Sequence, residues 1–238
     1  MAGTWISHPF TIIDSIVMEI IETRDGSHTV RRETGGELYH SIHGALAESR
    51  HVFIAGGLSS LPAIISPVRV LEVGFGTGLN VLLTWHAVKG GTRRVHYVAL
   101  EPYPLSEEEV MGLNYPQLVD EAGGQAFFRD IHRSAWNTPV FLDEHFILNK
   151  VDQRVQDVYL KSGQFHLVYF DAFSYDNDPG IWSREIMEKL HESLAPGGVI
   201  VTYSAKGEVR RNMESAGLRV ERLPGAPGKR EMLRARKG

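Results

Sequence analysis

Three glycines at alternate positions, Gly74, Gly76 and Gly78 in the run Glu72-Val-Gly-Phe-Gly-Thr-Gly78, and two later acids, Glu101 and Asp171, are the residues of this chain whose types and placement best suit chemistry. Glycines so spaced let the backbone turn sharply and approach a ligand with no Cβ in the way, and a helix starting directly after them aims its N-terminal amides into the same space. An anionic or zwitterionic group fits there. A dinucleotide fingerprint would place glycine at position 79, where Leu79 stands, so a nicotinamide cofactor is disfavoured. Glu101 ends an apolar run; a carboxylate at that strand end can accept hydrogen bonds from both hydroxyls of a ribose and would repel a 2′-phosphate. Together the two motifs read as a site for an adenosyl ligand. Asp171 ends another apolar run, Leu167–Phe170, and should face the same crevice. A carboxylate there suits an amine nucleophile, because it can orient N–H bonds and stabilise charge growing on nitrogen. The plainer readings are a tight strand-to-helix turn at Gly74–Gly78, a surface acid at Glu101 and a turn cap at Asp171.

These residues need a frame that brings strand ends together. From Val68 onward short apolar runs alternate with helical segments, the pattern of parallel strands joined by crossover helices. The expected strands are Val68–Val73, Val95–Leu100, His145–Val151, Phe165–Phe170 and Val199–Tyr203, with Leu218–Leu223 and Arg230–Ala235 as a terminal hairpin on one sheet edge. The expected helices are Leu79–Val88, Ser183–Leu194, which stops at Pro196-Gly-Gly198, and Glu208–Ala216, with Gly217 as its stop. Pro102–Glu144 is too long for one crossover and should hold helices and loops that shape a pocket. Upstream, Ile12–Thr23 and His28–Glu33 flank Asp25-Gly26 as a hairpin, and His43–Ile54 places Ala45, Leu46, Ser49, Val52 and Phe53 on one helical face. The expected fold is a doubly wound α/β domain around a seven-stranded, mostly parallel sheet. Its main domain is assigned to residues 61–238, and residues 1–60 form a hairpin-and-helix extension packed on it.

With 238 residues, 42% of them hydrophobic, the chain can bury one substantial core. A formal charge of −4 gives no global attraction to phosphate, so nucleic-acid contact would need a local basic patch. Lys206, Arg210 and Arg211 open one predicted helix, while Lys229, Arg230, Arg234, Arg236 and Lys237 crowd the last strand. If the terminal hairpin folds beside that helix, they form one basic surface. No cysteine is present, which excludes disulfides, thiolate metal sites and a cysteine nucleophile, and the histidines lack partners at metal-ligand spacing, so no metal is expected. Apolar runs are too short to cross a bilayer and the N-terminus resembles no secretion signal, so a cytoplasmic protein without membrane contact is expected.

The run Leu71-Glu-Val-Gly-Phe-Gly-Thr-Gly-Leu-Asn80 with Thr84-Trp85 resembles the glycine motif of the MnmC methyltransferase domain, from bacterial enzymes that modify the wobble uridine of certain tRNAs. So do Asp25-Gly-Ser27, Tyr39-His-Ser41, Glu48-Ser49, Phe170-Asp-Ala-Phe173, Trp182, Ala195-Pro-Gly-Gly198 and Gly228-Lys-Arg-Glu-Met-Leu233, spread over nearly the whole chain. The resemblance implies transfer of a methyl group from S-adenosyl-L-methionine to the exocyclic amine of 5-aminomethyl-2-thiouridine in the anticodon loop of tRNA. It implies that Tyr39, Glu72, Phe75, Thr77 and Asn80 join Gly74, Gly76, Gly78, Glu101 and Asp171 around the cofactor, with Asp171 beside the transferred methyl. Phe173, Lys206, Arg210, Arg211, Lys229 and Arg230 are the expected substrate contacts, and Phe75, Phe173, Tyr175 and Trp182 are the aromatic candidates for stacking on a base. Longer family members carry a flavin-dependent oxidase domain for which this chain has no room, so the free amine would come from another enzyme or an earlier step. Two positions depart from the family pattern. Ser174-Tyr175 follow the Asp-Ala-Phe motif in place of a small residue and proline, and Arg154 stands where relatives tend to have an acid, which would move an adenine contact to Asp152 or Asp157 or remove it. The alternatives are an aminopropyltransferase resembling spermidine synthase, and a catalytically silent tRNA-binding module.

Overall fold

The computed structural model describes residues 19–31 and 36–238. Two short strands, β1 (Glu19–Glu22) and β2 (His28–Arg31), pair antiparallel around the Asp25-Gly26 turn; the part of the expected hairpin before Glu19 lies outside the described residues. Helix α1 (Ala45–Ser49) runs directly into a wider π-type turn over Arg50–Ala55. The chain then enters the main sheet with β3 (Val68–Val73), α2 (Leu79–Val88) and β4 (Val95–Leu100). The long intervening segment folds as three helices, α3 (Glu107–Met111), α4 (Tyr115–Val119) and α5 (Gly124–Arg133), followed by β5 (Val140–Asp143). After these come β6 (Phe146–Val151), β7 (Phe165–Phe170), α6 (Arg184–Ser193), β8 (Leu194–Thr202), α7 (Gly207–Ser215), β9 (Arg219–Pro224) and β10 (Glu231–Arg236).

The sheet order is β5-β6-β4-β3-β7-β8-β10-β9, with the five strands from β6 to β8 parallel and both edges antiparallel. It therefore has eight strands, one more than expected. The additional strand, β5, is a four-residue run hidden before a turn in which Asp143 accepts a hydrogen bond from the His145 amide at 2.7 Å. Strand β8 also begins earlier than expected, at Leu194; the Pro196-Gly-Gly198 stretch is an irregularity in its pairing with β7, and Gly197 adopts φ 71°.

Alternation within β3 and β7 divides the core between the two sheet faces. Val70, Leu167 and Tyr169 pack on one face with Val81, Leu82, Phe53 and Phe127; Leu71, Val168 and Phe170 pack on the other with Met187, Leu190 and Met213. Each such fully buried aliphatic or aromatic side chain contributes about 1.5–3 kcal/mol. Ala45, Leu46, Val52 and Phe53 belong to the first of these clusters, so α1 and its π-type continuation share a core with the sheet. The chain leaves β3 toward β4 on one side and returns to β7 on the other, so the ends of Val73, Leu100 and Phe170 border a topological switch point. Among the described residues no helix is long and apolar enough to cross a membrane.

Candidate active site

At that switch point lies a cleft of about 540 Å³, within the roughly 300–1,000 Å³ common for small-molecule sites. Its floor is the glycine turn. Gly74, Gly76 and Gly78 take φ of 93°, 50° and 74°, a region costly for residues with a Cβ. At Gly74 the fit is tightest, since a Cβ there would lie 2.5 Å from the backbone oxygen of Asp171. The amides of this turn are largely engaged within the protein. Gly74 and Phe75 donate to the Leu100 carbonyl, Gly78 donates to the Phe75 carbonyl, and Gly76 donates to Glu101 Oε2 at 3.0 Å. The loop thus fastens the Glu101 carboxylate, whose Oε1 accepts from the Tyr103 amide at 2.9 Å, instead of turning all its amides toward a ligand.

Glu72, Asn80 and Asp171 form a line under the floor. Asn80 Nδ2 donates to Glu72 Oε1 at 2.9 Å and to Asp171 Oδ2 at 2.8 Å. Burial, with the nearby Asp171 charge added, holds the Glu72 carboxyl well above the ordinary range, against the hydrogen bond from Asn80. Asp171 is pushed up to about 7, chiefly by burial and next by the negative charge of Glu48, against the hydrogen bond from Asn80 and the charge of Lys229. Its backbone is pinned as well, its amide donating to the Val73 carbonyl at 3.0 Å.

The opposite wall comes from distant segments. The stretch from Glu37 to Ile42 runs across the cleft, held to β2 by the Tyr39 amide on the Val30 carbonyl and the His40 amide on Thr29 Oγ1. Tyr39 meets the edge of Phe173 with ring centres 5.3 Å apart, and its ring lies against Gly76. Glu48, 6% exposed, accepts from the Ser41 amide at 3.1 Å and pairs with Lys229 at 2.5 Å. The Lys229 ammonium sits 3.9 Å from the ring centre of Tyr203, whose hydroxyl donates to the Ala172 carbonyl at 2.8 Å.

Of the expected cofactor residues, Tyr39, Gly74, Phe75, Gly76, Thr77, Asn80, Glu101 and Asp171 line this cleft and Glu72 is bonded to Asn80 beneath it, whereas Gly78 does not line it and caps the start of α2 in a left-handed conformation beside His132. At its far end the lining is Gln153, Arg154, Val155 and Gln156, with Arg154 stacked over Tyr103; neither Asp152 nor Asp157 lines it. The basic residues are gathered only in part. Lys206, Lys229 and Arg230 surround a second hollow that shares Tyr203 and Lys229 with the cleft. Arg210 and Arg211 are paired with Glu214 and Glu208 on their own helix, Arg234 and Arg236 with Glu221, and Lys237 caps the carbonyls of His191 and Leu194. Of the aromatic candidates, Phe173 is 45% exposed at the mouth, whereas Trp182 is fully buried against Phe170, just before α6, and its Nε1 donates to the Phe173 carbonyl. Trp182 is core and supports Phe173 from behind. Glu48, noted in the sequence only as part of a family motif, and Tyr203, noted only as the end of a strand, were not assigned to the site by sequence reasoning. Glu48 left a signal, since it lies three residues after Ala45 and four before Val52, an acid on the apolar face of the helix.

The donor set fits an adenosyl sulfonium amino acid. Acids line the cleft where cationic sulfur and ammonium would lie, a fixed carboxylate ends β4 where ribose hydroxyls would lie, and the backbone approaches closely at glycines. A model of the S-adenosyl-L-methionine-dependent methyltransferase family matches residues 138–238. The tRNA 5-methylaminomethyl-2-thiouridine biosynthesis bifunctional protein MnmC of Aromatoleum aromaticum is 32% identical over 218 residues, covering 84% of this chain and 33% of that protein. The protein of the same name from Paraburkholderia phymatum is 29% identical over 92% of this chain and 35% of its own length. The crystal structure of MnmC2 from Aquifex aeolicus superposes with a TM-score of 0.73 at 26% identity, over 94% of this chain and 71% of that one. The chain is an S-adenosyl-L-methionine-dependent methyltransferase of MnmC type. This MnmC-like methyltransferase spans about a third of the length of the curated relatives it matches. A spermidine synthase from Thermotoga maritima, at 13% identity and a TM-score of 0.54, shares the fold alone.

Proposed function

We propose that this methyltransferase acts on tRNA, transferring one methyl group to the exocyclic amine of 5-aminomethyl-2-thiouridine at the wobble position. The observation that carries this reading is the coincidence of a relationship to MnmC over most of the chain with a raised carboxyl, Asp171, at the point where the cofactor floor meets the open wall.

When bound, the cofactor supplies a methyl carbon already activated by its sulfonium. The glycine turn admits its amino acid end, Glu101 takes the ribose hydroxyls, and Asn80 holds the Asp171 carboxylate in register with the floor. The acceptor amine, with its lone pair toward the methyl carbon, gives an N–H to Asp171, which stabilises the positive charge arriving on nitrogen. A base in a single-stranded loop can be splayed into the cleft mouth and stack on Phe173. Lys206, Lys229 and Arg230, beside the second hollow, are placed to take phosphates of the same loop. Lys206 and Lys229 already pair with Asp176 and Glu48, as Arg210 and Arg211 pair with Glu214 and Glu208; Arg210 and Arg211 are the secondary contacts because they do not line that hollow.

The test is nucleoside mass spectrometry of tRNA incubated with the protein and the cofactor. Conversion of the aminomethyl nucleoside to its methylaminomethyl form is expected in wild type and not in Asp171→Ala. Absence of any product with wild type on aminomethyl-bearing tRNA would refute the substrate assignment.

A further inference from the structure

A primary amine that directs its lone pair at a methyl carbon has two N–H bonds pointing away from it, and both need acceptors once water is excluded. Asp171 provides one. Also lining this cleft is Glu48, a buried carboxylate on α1 that the proposed mechanism leaves unused. Its position is set from three directions: the Ser41 amide binds Oε2, Lys229 binds Oε1, and Tyr203 lies beneath Lys229. A carboxylate offers about four lone-pair directions, and these two contacts use two of them. That Glu48 is among the main charges felt by Asp171 agrees with the two acids flanking one space.

We infer that Glu48 is the second acceptor for the amine and that it limits the enzyme to a single methyl transfer. The inference rests on the amine substrate proposed above. In the first transfer the N–CH₃ bond forms as the S–CH₃ bond breaks, sulfur keeps the electron pair, and the resulting ammonium gives up its extra proton to solvent water as the product leaves. A second transfer would repeat this on a secondary amine, which has one N–H in place of two. With its lone pair again aimed at a methyl carbon, the amine would have to press its existing methyl group against Asp171 or Glu48, desolvating a carboxylate with nothing to pair it. A singly methylated amine is also what the name of the MnmC relatives describes.

Two measurements decide the matter. First, wild-type protein is given matched tRNAs carrying the primary amine and the already methylated secondary amine. The secondary amine should react with a kcat/KM lower by about 10- to 100-fold, the loss of one hydrogen bond to a charged group. Equal rates would overturn the inference while leaving the amine substrate standing; no reaction with either tRNA would instead remove the substrate reading on which it depends. Second, Glu48→Ala should release dimethylated product on prolonged incubation, whereas Glu48→Gln, which keeps the size and an accepting oxygen, should stay monomethylating. Only monomethyl product from folded Glu48→Ala, at the wild-type rate, would overturn the assignment; if that variant does not fold, the first comparison decides alone.

Discussion

The floor of the cleft and its far wall are built by opposite means. The floor comes from one contiguous stretch, Glu72–Asn80, joined to the ends of two neighbouring strands, and its contacts are mostly backbone: Gly74 and Phe75 on the Leu100 carbonyl, Gly76 on Glu101, Asp171 on the Val73 carbonyl. The wall is assembled from side chains far apart in the chain, Tyr39, Glu48, Phe173, Tyr203 and Lys229, that meet only in the folded state. Backbone geometry tolerates little change, whereas side-chain contacts can be exchanged one at a time. The floor should therefore govern whether the cofactor binds at all, and the wall should govern which acceptor reacts and how often.

The strongest test of this division is Asp171, which belongs to both halves. Asp171→Asn keeps an oxygen that can accept from Asn80, so cofactor affinity measured by calorimetry should change by less than about threefold while kcat falls roughly 10²- to 10³-fold. A parallel loss of cofactor affinity would merge the two regions into one. Next in size is Gly74→Ala. Its Cβ would collide with the Asp171 carbonyl at a φ of 93°, so the fold should lose about 2–4 kcal/mol in denaturant titration and cofactor affinity should drop with it. Glu101→Gln should weaken cofactor binding about 10- to 100-fold with little effect on the ratio of mono- to dimethyl product.

Protonation provides a finer test. Asp171 faces Glu48 on α1, Glu72 on β3, Asn80 on α2, Tyr203 after β8 and Lys229 in the β9–β10 turn, and is held at about 7. The proposed mechanism uses its carboxylate, so kcat should rise as pH passes upward through about 7. Stability has the opposite sign. A carboxyl raised from its ordinary value near 3.8 leaves the native state binding more protons than the unfolded one across that interval, so its stabilising contribution is full below about 4 and is lost as pH climbs through about 7. Asp171→Asn should abolish the trend in kcat and weaken the trend in stability, to which the raised Glu72 carboxyl also contributes, and above neutrality it should melt about 2–4 °C higher than wild type. The smallest effect belongs outside the cleft. Replacing Lys206 and Arg230 should flatten the salt dependence of tRNA binding by about one unit of slope each. Charge reversal at Arg210 and Arg211 should change it less, because neither lines the second hollow.

The same division explains what was legible in the sequence. The parallel strands, the glycine turn and the acids at strand ends were readable because each is local: an apolar run buried on both faces, a turn that only glycine adopts, a carboxylate at a fixed place after a strand. Strand β5 escaped because four residues carry little periodicity. The basic surface was overestimated because a row of arginines in sequence does not reveal the glutamates one helical turn away that occupy them. Trp182, a candidate for stacking on a base, instead fills the space between Phe170 and Tyr203. Glu48 and Tyr203 meet through Lys229, and no spacing rule connects positions so far apart.

The contact between Gly74 and the Asp171 carbonyl has a bearing on redesign. On the mechanism proposed, electrophile and nucleophile would be registered by these two abutting main-chain segments, so their separation would be a property of the scaffold that ordinary mutation leaves alone. Attempts to broaden the range of amines accepted should therefore leave that seam untouched and work from the opposite rim, where Glu48, Tyr203 and Lys229 can be swapped without shifting the reaction axis.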